Sequence, residues 1–277
     1  MKQLTEEQVV ANWNRFCGLV ESTFTGTRKD NLLKIVNFFQ DRMLLAPASS
    51  KEHYHNAHPG GYIEHVLNVY DIAMDLSKMW EKYSEQINYT KEEIALVTLF
   101  HDLGKIGDTT EEFYQVQDNE WRRNNMGEIY KINEKLVNMN GADRSLYVLQ
   151  HFGVQLTQNE WVTIKIHEGM YDEANAYYLK TSYDNNVIKS HLPHLVHHAD
   201  MMATRIEYEE WKNKYRNANQ GKQTSTKKYS TKKSLGDTMS GKTETKLDTF
   251  FAEAKSDTIE SVDFDALFVD GGKAKEK

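Results

Sequence analysis

Only three prolines, Pro47, Pro59 and Pro193, occur in the 277 residues of this chain. Proline removes a backbone donor and breaks helix interiors, so this scarcity leaves long segments free to run as helix. Apolar residues recur at helical spacing through most of them. Thr5, followed by acidic residues, predicts a capped first helix to about Phe24. Leu32, Leu33, Ile35, Val36, Phe38, Phe39, Met43 and Leu44 predict a second, ended by Pro47. Beyond Gly60 and Gly61, a long helix carries Ile63, Val66, Val69, Tyr70, Ala73, Leu76 and Trp80 toward the core, and His65 rides on it. Thr90 and the glutamates after Lys91 predict the capped start of a helix that ends at His101 and Asp102. Further helices are predicted from Glu128 to Asn138, Ser145 to His151 and Asn159 to His167. Pro193 suits the first turn of a last helix, continuing from Leu195 to about Tyr215.

A hydrophobic fraction of 39% with 27% charged residues is that of a soluble globular protein with a polar appendage. The net charge of −7 argues against nucleic-acid binding driven by a broad basic surface. A single cysteine, Cys17, excludes an internal disulfide and a cysteine-based zinc site. No apolar stretch reaches the ~20 residues that span a bilayer, and the first residues lack the apolar core of a signal peptide. The expected location is the cytoplasm.

Two domains of unequal character are expected. Residues 1–215 carry the predicted helices. From 216 onward the chain is rich in Lys, Thr, Ser, Gly and Gln, and such a segment cannot offset its chain entropy by burial, so 216–277 is expected to be a disordered tail. Its end holds two apolar clusters, Leu247 to Phe251 and Phe264 to Phe268. They look similar to short peptides that dock into sliding clamps, although packing back on the domain is the plainer account.

The chemistry concentrates in histidine-rich blocks. His101 and Asp102 end the buried run Ile94 to Phe100, where an imidazole and a carboxylate are costly unless they bind something. His65 lies upstream; His167 and Asp200 lie downstream. Imidazole nitrogen with carboxylate oxygen is a donor set for Mn, Fe, Co, Ni or Zn rather than Ca, with Mg also admissible. Adjacent residues on one helix cannot point the same way, so His101 and Asp102 act together only if the helix ends and the chain turns, which Gly104 is expected to permit. Lys105 follows closely enough to neutralise a phosphate oxygen. His197, one turn before Asp200, is a candidate hydrogen-bond partner for it. Arg205 ends the block without an assigned place, and Trp161 and Trp211 are expected in the core.

The pattern His65, His101-Asp102, Asp200 resembles that of the HD superfamily of metal-dependent phosphohydrolases. The segment A-P-A-S-S-K-E-H-Y-H-N-A-H-P-G-G-Y-I-E-H is similar to the one preceding the first ligand in the branch of HD-type 3′–5′ exoribonucleases. H-D-L-G-K and H-H-A-D-M-M-A-T match the usual core and final-aspartate helix. The resemblance covers roughly residues 45–210. It implies an all-α HD-domain bundle that binds one or two ions. It places His65, His101, Asp102 and Asp200 on a first metal and His167 on a second, with Glu128 as a further ligand where that branch has a histidine. It makes His55 a phosphate contact or outer ligand.

The expected function is therefore hydrolysis of a phosphoester or phosphoanhydride bond of a nucleotide, with Asp102 and Lys105 as catalytic groups. Two alternatives stand beside it. One is a 3′–5′ exoribonuclease or phosphodiesterase on nucleic acid, less favoured because the residues before the match read as helix rather than as an oligonucleotide-binding barrel. The other is a non-catalytic metal-binding module that works through its tail.

Overall fold

A computed structural model describes residues 3–180 and 188–216. Among them the fold is all-α, relieved only by two short strands. The expected disordered tail and its clamp-like clusters lie outside the described residues from 217 on. Among the described residues, no helix is long and apolar enough to cross a membrane.

Helix α1 (Glu6–Thr23) starts at Thr5, whose side chain accepts from Gln8 N while the Gln8 side chain accepts from Thr5 N. The second predicted helix is two. Helix α2 (Gly26–Phe38) and helix α3 (Gln40–Leu45) are separated at Phe39, which leaves helical geometry at φ −100, ψ 11. Pro47 acts one residue early: Ala46 before it is extended at ψ 138, as steric conflict with a following proline requires. Phe39 and Met43 still reach the core, while Phe38 beside the break is 55% exposed.

Helix α4 (Gly61–Tyr83) and helix α5 (Lys91–Phe100) form as predicted, α5 behind a Thr90–Glu93 capping box. Every residue of α5 from Glu93 to Phe100 is buried. A helix apolar on all sides belongs at the centre of a fold, and each fully buried Leu or Phe there contributes about 1.5–3 kcal/mol. The helix predicted over Glu128 to Asn138 is absent. Strand β1 (Tyr114–Val116) instead pairs antiparallel with strand β2 (Tyr130–Ile132), with helix α6 (Glu120–Met126) between them. Ile129 N and Tyr130 N both donate to Ser50 O, which fixes that segment as extended chain.

Helix α7 (Gly141–His151) begins four residues before the predicted start, capped by Asn140. Helix α8 (Gln158–Ile166) follows a Thr157–Glu160 capping box. Short helical turns and helix α9 (Ala176–Leu179) precede helix α10 (Leu192–Trp211), which carries Pro193 in its first turn and passes into a π turn, Lys212–Arg216. Trp161 is 42% exposed, so it is not the core residue expected. Four helices close a ring: α4 packs on α5, α5 on α8, α8 on α10, and α10 on α4.

Candidate metal centre

Each helix of that ring brings one position to a common point. His65 projects from the second turn of α4, and Asp200 from the middle of α10. His101 is the residue that ends α5, and His167 the residue that ends α8. Both remain in right-handed helical geometry while the chain beyond them tightens into short 3-10 turns. Asp102 can therefore turn back toward His101 although the two are neighbours. A helix C-terminus carries partial negative charge, and two of them meeting at one point favour a cation there.

Gly104 has a different role from the expected one. It has no positive φ. A side chain at Gly104 would place its Cβ 2.2 Å from the carbonyl oxygen of Gly141, so glycine is needed for the close passage of α7. Ser145 on α7 fastens the turn, accepting from Gly104 N at 2.8 Å and donating to His101 O at 2.6 Å.

All three imidazoles are oriented through Nδ1. His101 Nδ1 lies 2.9 Å from Thr98 O, and His167 Nδ1 lies 2.7 Å from Ile164 O. His65 Nδ1 lies 3.1 Å from a carboxylate oxygen of Glu207. These bonds place a proton on Nδ1 and turn each Nε2 inward, the arrangement of a metal-ligating histidine with an anchored outer nitrogen.

The inward atoms gather closely enough to share a cation. Nε2 of His65 is 3.1 Å from Asp200 and 3.7 Å from Asp102. Nε2 of His101 is 3.5 Å from Asp102 and 3.9 Å from Asp200. Nε2 of His167 is 3.7 Å from Asp102. Adjacent ligands about 2.1 Å from one metal lie about 3.0–3.4 Å apart; the His65–Asp200 approach falls in that range, and the other four pairs stand wider, at 3.5–3.9 Å. The buried Nε2 atoms of His65 and His101 have no hydrogen-bond partner, so even the 3.1 Å approach to Asp200 lacks hydrogen-bond geometry. Two overlapping triads, His65–His101–Asp102 and His101–His167–Asp200, can each hold an ion. The donor set fits a divalent metal.

Charge within the cluster follows burial and contact. Burial holds the His101 imidazole down to about 4. At His65 burial acts the same way, but Glu207 and Asp200 outweigh it and push the imidazole up to about 10. At His167 Asp102 outweighs burial and pushes it up to about 9. Burial opposes charge on Asp102 as well, yet Lys105, His101 and His167 hold its carboxyl well below the usual range. Asp200 is likewise held low, against burial, by the three histidines. The carboxylates thus gather positive charge, which a divalent cation supplies by displacing the imidazole protons.

Lys105 Nζ lies 2.8 Å from Asp102 Oδ2 at the edge of the cluster. His55 packs its ring 4.8 Å from that of His65, and its Nε2 is buried without a hydrogen-bond partner. Burial, then the positive charges of His65 and Lys105, hold His55 neutral. Glu128 belongs to neither triad. Its carboxylate pairs with Arg122 at 3.0 Å, and its backbone makes an isolated bridge with Lys51 ahead of β2. His197 does not bond Asp200; its Nδ1 lies 2.7 Å from the carbonyl oxygen of His167. Arg205 is half-exposed and pairs with Glu209.

Three contributors escaped the sequence reading. Glu207 had a usable signal, since it follows Asp200 by two helical turns on the same face. Ser145 had none, because its partners come from a distant helix end. Glu168, next to His167, has a carboxyl raised by burial despite His167 and Lys105. Comparison with family models, curated proteins and solved structures finds no match to this chain.

Proposed function

We propose that this chain is a metal-dependent phosphohydrolase that acts on a nucleotide. The observation that carries the reading is the convergence of His65, His101, Asp102 and Asp200, with every imidazole anchored through Nδ1 and every Nε2 turned inward. The resemblance to the HD pattern supports it from the sequence side.

In this reading His65, His101, Asp102 and Asp200 hold the first metal and His167 contributes to a second. Mn, Fe, Co, Ni or Zn suits the mixed nitrogen and oxygen donors. A bound divalent metal supplies a Lewis acid and lowers the pKa of water to a useful range. Lys105, held beside Asp102, offsets the charge that builds on the phosphoryl oxygens. His55 offers a neutral imidazole to the same group. In the net reaction a bond forms between water oxygen and phosphorus. The phosphorus–oxygen bond to the leaving group breaks, and the proton lost by water ends on the leaving oxygen. The inward face of the cluster is nearly closed, with Asp102 5% and Asp200 9% exposed. That favours a small nucleotide over a polymer.

The test is metal-dependent phosphate release. Purified protein with Mn, Co, Ni, Mg or Zn is offered nucleoside mono- and triphosphates, cyclic nucleotides and a short RNA. Asp102→Ala is the control. Turnover lost in the variant supports the reading and gives the substrate class. Metal binding without turnover on any substrate overturns it in favour of a binding module, and RNA as the preferred substrate favours the exoribonuclease.

A further inference from the structure

The segment that leads into α4 carries aromatic and basic side chains that the metal centre does not use. Lys51, His53 and Tyr54 fall within four residues, and His55 follows them. Gly127 holds this segment from the other side, its carbonyl accepting from Glu52 N at 2.7 Å. A side chain at Gly127 would bring its Cβ to 3.2 Å from His53 Nδ1, so the bare glycine lets that ring lie close against the chain.

From there a run of rings crosses to the end of α10. The ring of His53 lies 4.8 Å from that of Tyr54 and 6.4 Å from that of Trp211. Trp211 in turn lies 6.0 Å from Tyr208. A cation closes each end. Lys51 Nζ sits 5.1 Å from the centre of the Tyr54 ring, and the Arg205 guanidinium 5.3 Å from that of Tyr208. Tyr208 is buried and backs the group, whereas His53, Tyr54 and Trp211 are partly exposed. Trp211 is thus not the core residue expected. Its indole N–H is shielded from water and has no hydrogen-bond acceptor. A donor left so is costly, and a ligand carrying an acceptor would satisfy it.

Two routes tie this array to the metal centre. His53 precedes His55 by two residues, at most about 7 Å of chain, and the His55 ring packs 4.8 Å from that of His65. Trp211 follows Glu207, the anchor of His65 Nδ1, by one turn of α10.

We propose that His53, Tyr54 and Trp211 form a stacking site for the base of the nucleotide whose phosphate reaches the metal centre. The inference rests on the reading of a nucleotide as the ligand, and not on its hydrolysis. Aromatic rings stack on a base, and the ring nitrogens and carbonyls of a base accept from an indole N–H. Cations over two of the rings favour an anionic ligand at this place, on a chain whose net charge is −7. Stacking uses the π face that every base has, so the site admits all four bases rather than one.

The test is a binding titration of the full chain in chelator, where turnover cannot consume the probe. AMP, CMP, GMP and UMP are compared with ribose 5-phosphate, which lacks only the base. In the natural protein each nucleotide is expected to bind at least about tenfold tighter than the sugar phosphate. His53→Ala and Trp211→Leu should shrink that advantage to about threefold or less, with metal affinity unchanged. Trp211→Phe keeps a ring, so it should keep the preference and lose the quench of indole emission that the nucleotides cause. Equal affinity for nucleotides and ribose 5-phosphate overturns the inference, as does a preference that survives in both His53→Ala and Trp211→Leu. If Trp211→Leu loses helix content, His53→Ala and Trp211→Phe carry the comparison. Base-dependent binding without turnover under any metal supports the stacking site and strikes only the hydrolase reading. Turnover without a base preference strikes only the stacking site.

Discussion

Asn68 and His65 share one carboxylate. Asn68 Nδ2 donates to Glu207 Oε1 at 2.8 Å, while His65 Nδ1 lies 3.1 Å from Glu207 Oε2. Glu207 therefore fixes both the tautomer and the tilt of an inner imidazole from the far side. Glu207→Gln removes the charge but keeps an acceptor. Metal affinity should fall about 10-fold to 100-fold. Titration calorimetry checks this, and an unchanged affinity would show that Glu207 does not orient the ligand.

Lys105→Met separates binding from turnover. The ammonium at 2.8 Å from Asp102 repels an incoming cation, so metal affinity should stay level or rise in the variant. If the proposed role of Lys105 holds, turnover should fall about 10²-fold to 10³-fold, because the charge offered to the phosphoryl oxygens is gone. Steady-state kinetics at saturating metal, beside calorimetry, gives both numbers.

Metal binding should release protons in a pH-dependent way. His65 titrates at about 10 and His167 at about 9 in the metal-free cluster, so both are charged at pH 8. Ligation needs both neutral, so metal binding that engages both His65 and His167 at pH 8 should expel about two protons, and the release should vanish well above pH 10. Calorimetry in buffers of different ionisation enthalpy counts them.

The same groups set the pH dependence of the metal-free fold. The raised values of His65 and His167 mean that the folded state binds their protons more tightly than the unfolded chain. Their stabilisation is complete below the unfolded value near 6.5 and is lost as pH rises through about 9 and 10. His101 works in the opposite sense: held at about 4, its contribution is complete above 6.5 and is lost as pH falls. Denaturant titration in chelator should show stability declining from pH 7 to pH 10, and saturating metal should abolish that slope.

The turn after His101 is expected to be intolerant of small changes. Gly104→Ala drives a methyl group against the Gly141 carbonyl, a backbone atom that cannot swing aside, at a cost of about 1–3 kcal/mol. Ser145→Ala leaves the Gly104 amide buried without an acceptor, at about 1–3 kcal/mol. Thermal denaturation of the two variants measures both effects.

What could be read beforehand divides by range. Thr5, Thr90 and Thr157 each form a capping box within four residues, so the starts of α1, α5 and α8 were legible or nearly so. His65, His101, Asp102, His167 and Asp200 stood out because polar groups at buried helical positions are anomalous. The strand at Tyr130 was hidden because its cause, the carbonyl of Ser50, lies far away in sequence. The anchoring of Gly104 by Ser145 was hidden for the same reason.

The bond between His65 and Glu207 spans 142 residues. Contacts of such separation close late, after the entropy of the intervening loop has been overcome. During folding the chain can present His101 and Asp102 early, as a local and weak pair. A cation can be held by the whole set only once α4 and α10 have met. Capture of metal is thus a report that the ring of helices has closed, and a refolding time course followed by metal uptake should trail one followed by helix content.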